Sequence, residues 1–219
     1  MSVSEDRTVQ PSPTASPVSG IADPAPLGLA AFALTTFLLS AANAGWMSKA
    51  TGAAFLGYAF AYGGLGQLLA GMWEFRNRNV FGATAFASYG GFWIGLGLWV
   101  ELVKIPTLNA AKTPLAAAAA STALNHDLGW ILLAFAIFNL YMLVLSTQVN
   151  MAVFLVFLTL QLTEVILFIG FFGNSSGTIK FGGYVGLVTA LVAWYTSAAG
   201  VSNGIAGKLR FPVGKPLLS

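Results

Sequence analysis

The chain has no cysteine, a single histidine and seven acidic residues in 219. Without cysteine there is no disulfide and no thiolate metal site, and the redox compartment stays undetermined. One histidine among so few acids leaves too small a ligand set for a His-rich metal centre. Charge is scarce too: 8% of residues are Asp, Glu, Lys or Arg, against about 25% in soluble domains. Such a chain cannot clothe itself in a solvated surface. Its net charge of +3 is small and its basic residues sit in loops and tails rather than in a patch, which excludes the usual footprint of a nucleic-acid binder. The spans described below carry no nucleophile–base pair and no metal set, so no enzyme chemistry and no cofactor is expected.

What the chain has instead is apolar length. It is 57% hydrophobic with a mean hydropathy of +0.77, the composition of an all-α integral membrane protein. Spanning the hydrocarbon core takes about 20 apolar residues as a helix. Six segments qualify, at roughly 27–46, 52–73, 82–103, 128–147, 150–172 and 181–204. The breaks between them read "SKATG", "EFRNRN", "KIPTLNAAKTP", "STQVN" and "GNSSGTIK". "AAAAAST" (116–122) is too short and too weakly apolar to span, and is read as part of the long third loop or as a surface helix. Residues 1–22, rich in Ser, Pro and Thr, read as a disordered cytosolic tail without the apolar run of a signal peptide. Residues 23–207 form the transmembrane domain, and 208–219, basic and proline-broken, a second tail.

Six spans put both ends on one side. That side holds Arg7, Arg76, Arg78, Lys208, Arg210 and Lys215; the other holds Lys49, Lys104, Lys112 and Lys180. The excess favours cytosolic termini in a cell membrane, plasma or inner.

A polar side chain in a span costs free energy unless it meets a partner or water, so polar stripes point toward function. In the first span Thr36, Ser40 and Asn43 fall on one face, with Thr35 beside them and Phe32 at the end. The second carries Gln67, Gly71 and Glu74, and the third Thr84 and Ser88 just before Tyr89. The fifth has Thr159, Gln161, Thr163 and Glu164; the sixth has Thr189, Thr196 and Ser197. Any one hydroxyl can simply bond back to its own helix, and an amide can glue two helices together. Stripes in five of six spans favour a polar path through the bundle. No Lys or Arg sits mid-span, which suits a small solute passing through a narrow pore better than a tightly held one.

Glycine, 25 residues, clusters within spans as "GGFWIG", "GGYVG" and "GVSNG". Small residues four apart let helices approach, either within one protomer or between protomers. At the start of the first span, "DPAPLG" places Asp23 as N-cap, Pro24 at the first helical position and Pro26 where its missing N–H is not needed. That is a rigid helix start, and also a positive helix end able to attract an anion.

"DPAPLGL" resembles the Asn-Pro-Ala-Pro-Leu-Gly signature of the acetate uptake transporter family, the succinate–acetate permeases, with Gly28 closing the motif. The resemblance continues through "YGGLGQLLAGMWEFRNRNVFGATAFASYGGFW" (62–93). It implies a six-helix protomer assembled as a homohexamer in the lipid bilayer, each protomer with its own path for acetate and, in some members, succinate. The expected function is membrane transport of acetate and similar short monocarboxylates, linked to protons. By position, the family's hydrophobic constriction falls on Phe32, Tyr89 and Leu160, and Ala193 matches a position associated with which acids pass. Two residues depart from the pattern: Asp23 replaces the usual Asn, and Glu164 stands where an apolar residue is expected. An ionised, unpaired carboxylate there is costly, so Glu164 is expected protonated, hydrated or hydrogen-bonded, either facing the path or tied to a neighbouring helix by Gln161 or a hydroxyl. The rival readings are a channel for ammonia or another small neutral solute, and a membrane sensor or scaffold.

Overall fold

The computed structural model describes residues 20–48 and 54–218. Residues 1–19 of the N-terminal tail and most of the "SKATG" break, with Lys49, lie outside the described residues. Every regular element among those described is helical.

Helix α1 is Ala25–Asn43. Helix α2 (56–76) is one continuous run: a first turn at Leu56–Tyr58, wide π-type turns at Ala59–Gly66, and an ordinary stretch at Gln67–Arg76. Helix α3 is Val80–Ala110, α4 Pro114–Ser146, α5 Met151–Phe172 and α6 Ser176–Ala206. Five of the six, all but α2, are long and apolar enough to cross a membrane.

The polar breaks act as helix caps. Asn79, Thr113, Asn150 and Ser175 each accept a hydrogen bond from a backbone N–H three residues on, starting α3, α4, α5 and α6. Asn174, with φ of 47°, makes the tight turn before the last of these.

Three expectations change in detail. The helix of "DPAPLG" begins one residue late: Pro24 is the N-cap, and Asp23 accepts from the Ala25 N–H at 2.9 Å. The "KIPTLNAAKTP" stretch is helical through Ala110, because π-type turns at Val100–Lys104 pass the Ile105 N–H to the Val100 carbonyl and so accommodate Pro106. "AAAAAST" is the first part of α4, whose 33 residues run to about 50 Å, well beyond the hydrocarbon core. Alanine's helix propensity matters there more than its modest apolarity.

α1 packs along α6, α6 against α5, and α5 against α4, while α2 lies on α3 and also touches α1. Close approach needs small residues at the crossings. A methyl added at Gly71 would lie 2.7 Å from the Ala87 backbone nitrogen, and one at Gly183 would press into the Ala44 backbone. The C-terminal segment is irregular but docked. The Leu217 N–H bonds to the Thr147 carbonyl, the Ala152 N–H to the Val213 carbonyl, and the Tyr195 hydroxyl to the Pro212 carbonyl.

Candidate functional site

The central core cluster joins Phe32 of α1, Tyr89 of α3, Leu160 of α5 and Ala193 of α6. Phe32 and Tyr89 meet edge to face, ring centroids 5.8 Å apart. These two and Leu160 line two separate cavities, one on either side of them. Toward the chain's termini lies a cavity of about 210 Å³, bordered by Asp23, Gln67, Asn79 and Asn150. On the opposite side is a small cavity of about 40 Å³ lined by Thr36, Ser40, Asn43, Trp93 and Glu164. It shares Leu39, Asn43, Leu132 and Leu167 with a wider vestibule of about 640 Å³ that holds Lys104 and Asn109. Three spaces thus lie in series, with an apolar neck between the first and the second.

Polar groups brace the neck from behind. The Tyr89 hydroxyl is 2.9 Å from Asn139 Oδ1 and 3.4 Å from Glu164 Oε1. Asn139 turns its amide hydrogens to the Phe157 carbonyl (3.0 Å) and to Gln161 Oε1 (2.8 Å). Gln161 in turn donates to the Ala136 carbonyl at 3.2 Å. The chain of bonds ties α3, α4 and α5 together where a path would otherwise loosen them. Glu164 is 4% exposed and its Oε2 has no partner.

The polar residues expected on a path divide into two groups. Thr36, Ser40, Asn43 and Glu164 line the small cavity, Gln67 and Asp23 the terminal-side one. The rest lie elsewhere. Thr35 bonds back to the Ala31 and Phe32 carbonyls. Thr196 bonds to the Val192 carbonyl, and Ser197 donates to the Pro26 carbonyl at 2.6 Å. Glu74 is buried beneath the α2–α3 turn, accepting from Asn77 at 3.3 Å. Thr84 borders a separate hollow with Tyr141 and Gln148, and Ser88 lines none of the three spaces. Ala193 is fully buried behind the neck and lines none of the three spaces.

The helix-mouth motif has a packing role as well. Pro26 closes on Gly200, where a methyl would come within 2.8 Å, and Gly28 leaves room for the Phe86 ring at 2.6 Å.

Two residues of this region went unread in the sequence. Asn139, an amide in the middle of "AIFNLYM", carries the same signal as Gln67 and is detectable by the same rule. Trp93 looks like any apolar span residue until its indole N–H is found buried without a partner.

A bundle of apolar helices enclosing cavities, two of them separated by an aromatic–aliphatic neck, is a multi-pass membrane protein. The chain belongs to the GPR1/FUN34/yaaH family, whose model matches residues 6–214. It is 40% identical to acetate permease A of Emericella nidulans over 199 residues, 88% of this chain and 65% of the relative. It is 33% identical to the succinate–acetate/proton symporter SatP of Escherichia coli K12 over 195 residues, 89% of this chain and 96% of the relative. A third relative, 37% identical over 196 residues (90% of this chain and 67% of the relative), is the ammonia transport outward protein 2 of Saccharomyces cerevisiae. The chain thus spans about two thirds of the length of these fungal relatives. The solved structure of the bacterial acetate channel SatP matches with a TM-score of 0.76 at 32% identity, covering 89% of this chain and 99% of that one.

Proposed function

We propose that this protein transports acetate and similar short monocarboxylates, and succinate with them, across a cell membrane. The observation that carries the reading is that Phe32, Tyr89 and Leu160 line both the terminal-side cavity and the small one beyond it. A solute moving between these spaces must pass those three side chains. An apolar constriction with polar groups on both sides sheds water and gates by dewetting, so a small, weakly held solute crosses it best. Among the described residues, Lys104 in the wide vestibule is the one cationic side chain bordering the three spaces, and it draws anions toward it. The names of the Emericella and Escherichia relatives support a carboxylate substrate, and the second of them supports proton linkage.

In this reading α2 is a sixth span, its π-type turns wrapped on the tight α3 crossing, and both termini face the cytosol. Protomers assemble as a homohexamer, each with its own path. Gly91 and Gly95, four apart on α3, have nothing within 4 Å where a side chain would stand, which leaves that face open to a neighbouring protomer.

The ammonia-named relative gives the rival neutral-solute reading specific weight. Flux in proteoliposomes separates the two. Labelled acetate entering faster than into protein-free vesicles, with ammonia permeation unchanged, supports the carboxylate reading; the reverse pattern supports the rival.

A further inference from the structure

Among the described residues, four buried side-chain polar atoms have no hydrogen-bond partner: Thr36 Oγ1, Glu74 Oε1, Trp93 Nε1 and Glu164 Oε2. Three of them belong to residues that line the same small cavity next to the neck. Buried polar groups are expensive to leave unpaired, so three around one space mark a place built for something that pairs them. The indole nitrogen can only donate, a hydroxyl can donate, and a carboxyl can donate once it carries a proton. The complementary ligand is rich in acceptors, as a carboxylate is.

We propose that this cavity is a binding site for the carboxylate of the passing solute, with Trp93, Thr36 and a protonated Glu164 donating to its two oxygens. The inference rests on the reading of the path as a monocarboxylate conductor. At about 40 Å³ the cavity has room for about three water-sized centres. That fits a carboxylate with one small carbon tail, its apolar end toward Phe32, Tyr89 and Leu160.

Hydrogen-bond counting assigns the proton. Tyr89 has one hydrogen and two acceptors within reach, Asn139 Oδ1 at 2.9 Å and Glu164 Oε1 at 3.4 Å. Asn139 has already committed its amide hydrogens, so its oxygen must accept, and the phenol hydrogen goes there. Glu164 then pairs with the phenol oxygen only by bringing a hydrogen of its own. Its surroundings do not supply a counter-charge. Tyr89 is the titratable group facing it from α3; α1 offers Thr36 and Ser40, and α4 offers Asn139 and Leu132. α6, on the far side of α5, presents the Thr189 hydroxyl to Thr163. Among the described residues, no Lys, Arg or His lines the cavity.

A single acidic hydrogen therefore has two uses: toward Tyr89 when the site is empty, toward the solute when it is filled. Anion and proton are held at one place, and filling the site releases Glu164's hold on a neck residue.

The test uses the full-length protein in liposomes, with labelled acetate at a fixed anion concentration and pH varied. Wild-type apparent affinity should weaken as pH rises. Glu164→Gln, whose amide always carries hydrogens, should keep the affinity and lose the pH dependence. Glu164→Leu and Trp93→Phe should each raise KM by about tenfold, the effect of one lost bond to a charged group, with the maximal rate largely kept. Infrared difference spectra on adding acetate should show a carboxylic-acid carbonyl band shifting in wild type and in Trp93→Phe, and absent in Glu164→Gln. Because that band is read in wild type, the proposal stays testable should a Glu164 variant fold poorly. Wild-type acetate flux whose pH dependence Glu164→Gln retains and whose KM Trp93→Phe leaves unchanged, with no acetate-sensitive acid band, means a water-filled pocket only and overturns the site alone. No wild-type acetate flux at all removes the transport reading, and the site with it.

Discussion

Tyr89 lends its ring to the neck and its hydroxyl to Asn139, 2.9 Å away on α4. The aromatic wall of the neck is therefore held in place by an amide that lines neither adjoining cavity. Replacing Asn139 by Leu takes away the phenol's nearer acceptor and the donor to the Phe157 carbonyl and Gln161 Oε1. The expected cost is about 1–3 kcal/mol, the range for orphaning a buried polar group. Thermal unfolding in mild detergent measures it, and an unchanged midpoint would show that the bond holds nothing. The neck should also become less selective, which uptake of acids bulkier than acetate reads directly.

Leu160→Ala removes the aliphatic third of the neck. It should widen the constriction and admit bulkier acids such as lactate, with acetate transport retained. Ala193→Gly should act in the same direction but more weakly, since Ala193 packs behind the neck rather than lining it. Competition between lactate and labelled acetate in vesicles checks both. Equal exclusion of lactate by wild type and Leu160→Ala would mean the neck is set elsewhere.

Much of this arrangement was legible in the sequence, and what was not follows a pattern. The apolar runs and the polar breaks mark the helices because a bilayer forbids unpaired backbone and rewards length. Phe32, Tyr89 and Leu160 border the same two cavities, and Glu164, one turn beyond Leu160, borders the smaller of them. The hydroxyls misled because a threonine bonded to its own turn, such as Thr35, has the same local sequence signature as one lining a cavity, such as Thr36. Ser197 looked like a path residue and is a tie to the Pro26 carbonyl, 171 positions away, a partner that no periodicity reveals. The helical extensions at 105–110 and 114–127 were hidden because hydropathy reports burial in lipid, while alanine and π-type turns carry a helix beyond it.

Glycines that look alike should behave differently. Gly183→Ala forces a methyl into the Ala44 backbone and should destabilise the protomer by about 1–3 kcal/mol through overpacking. Gly91→Ala and Gly95→Ala meet open space and should leave protomer stability unchanged. Thermal melts of the three variants decide it; similar losses at all three would show that the open face is already filled within the protomer.

The same open face yields an expectation about assembly. Native mass measurement in mild detergent should give a hexamer, and Gly91→Leu or Gly95→Leu should shift it toward smaller species. A stable, fully active wild-type monomer would confine the glycines to packing within one chain.

The most direct test exploits the absence of native cysteine. Leu160→Cys places a single thiol in the neck, and a small thiol-reactive reagent then enlarges that side chain while mass measurement follows the fraction modified. If acetate passes between Phe32, Tyr89 and residue 160, labelled-acetate flux into proteoliposomes should fall in step with modification toward that of protein-free vesicles, and acetate should slow the labelling. Complete modification with acetate flux undiminished would contradict a path through this neck.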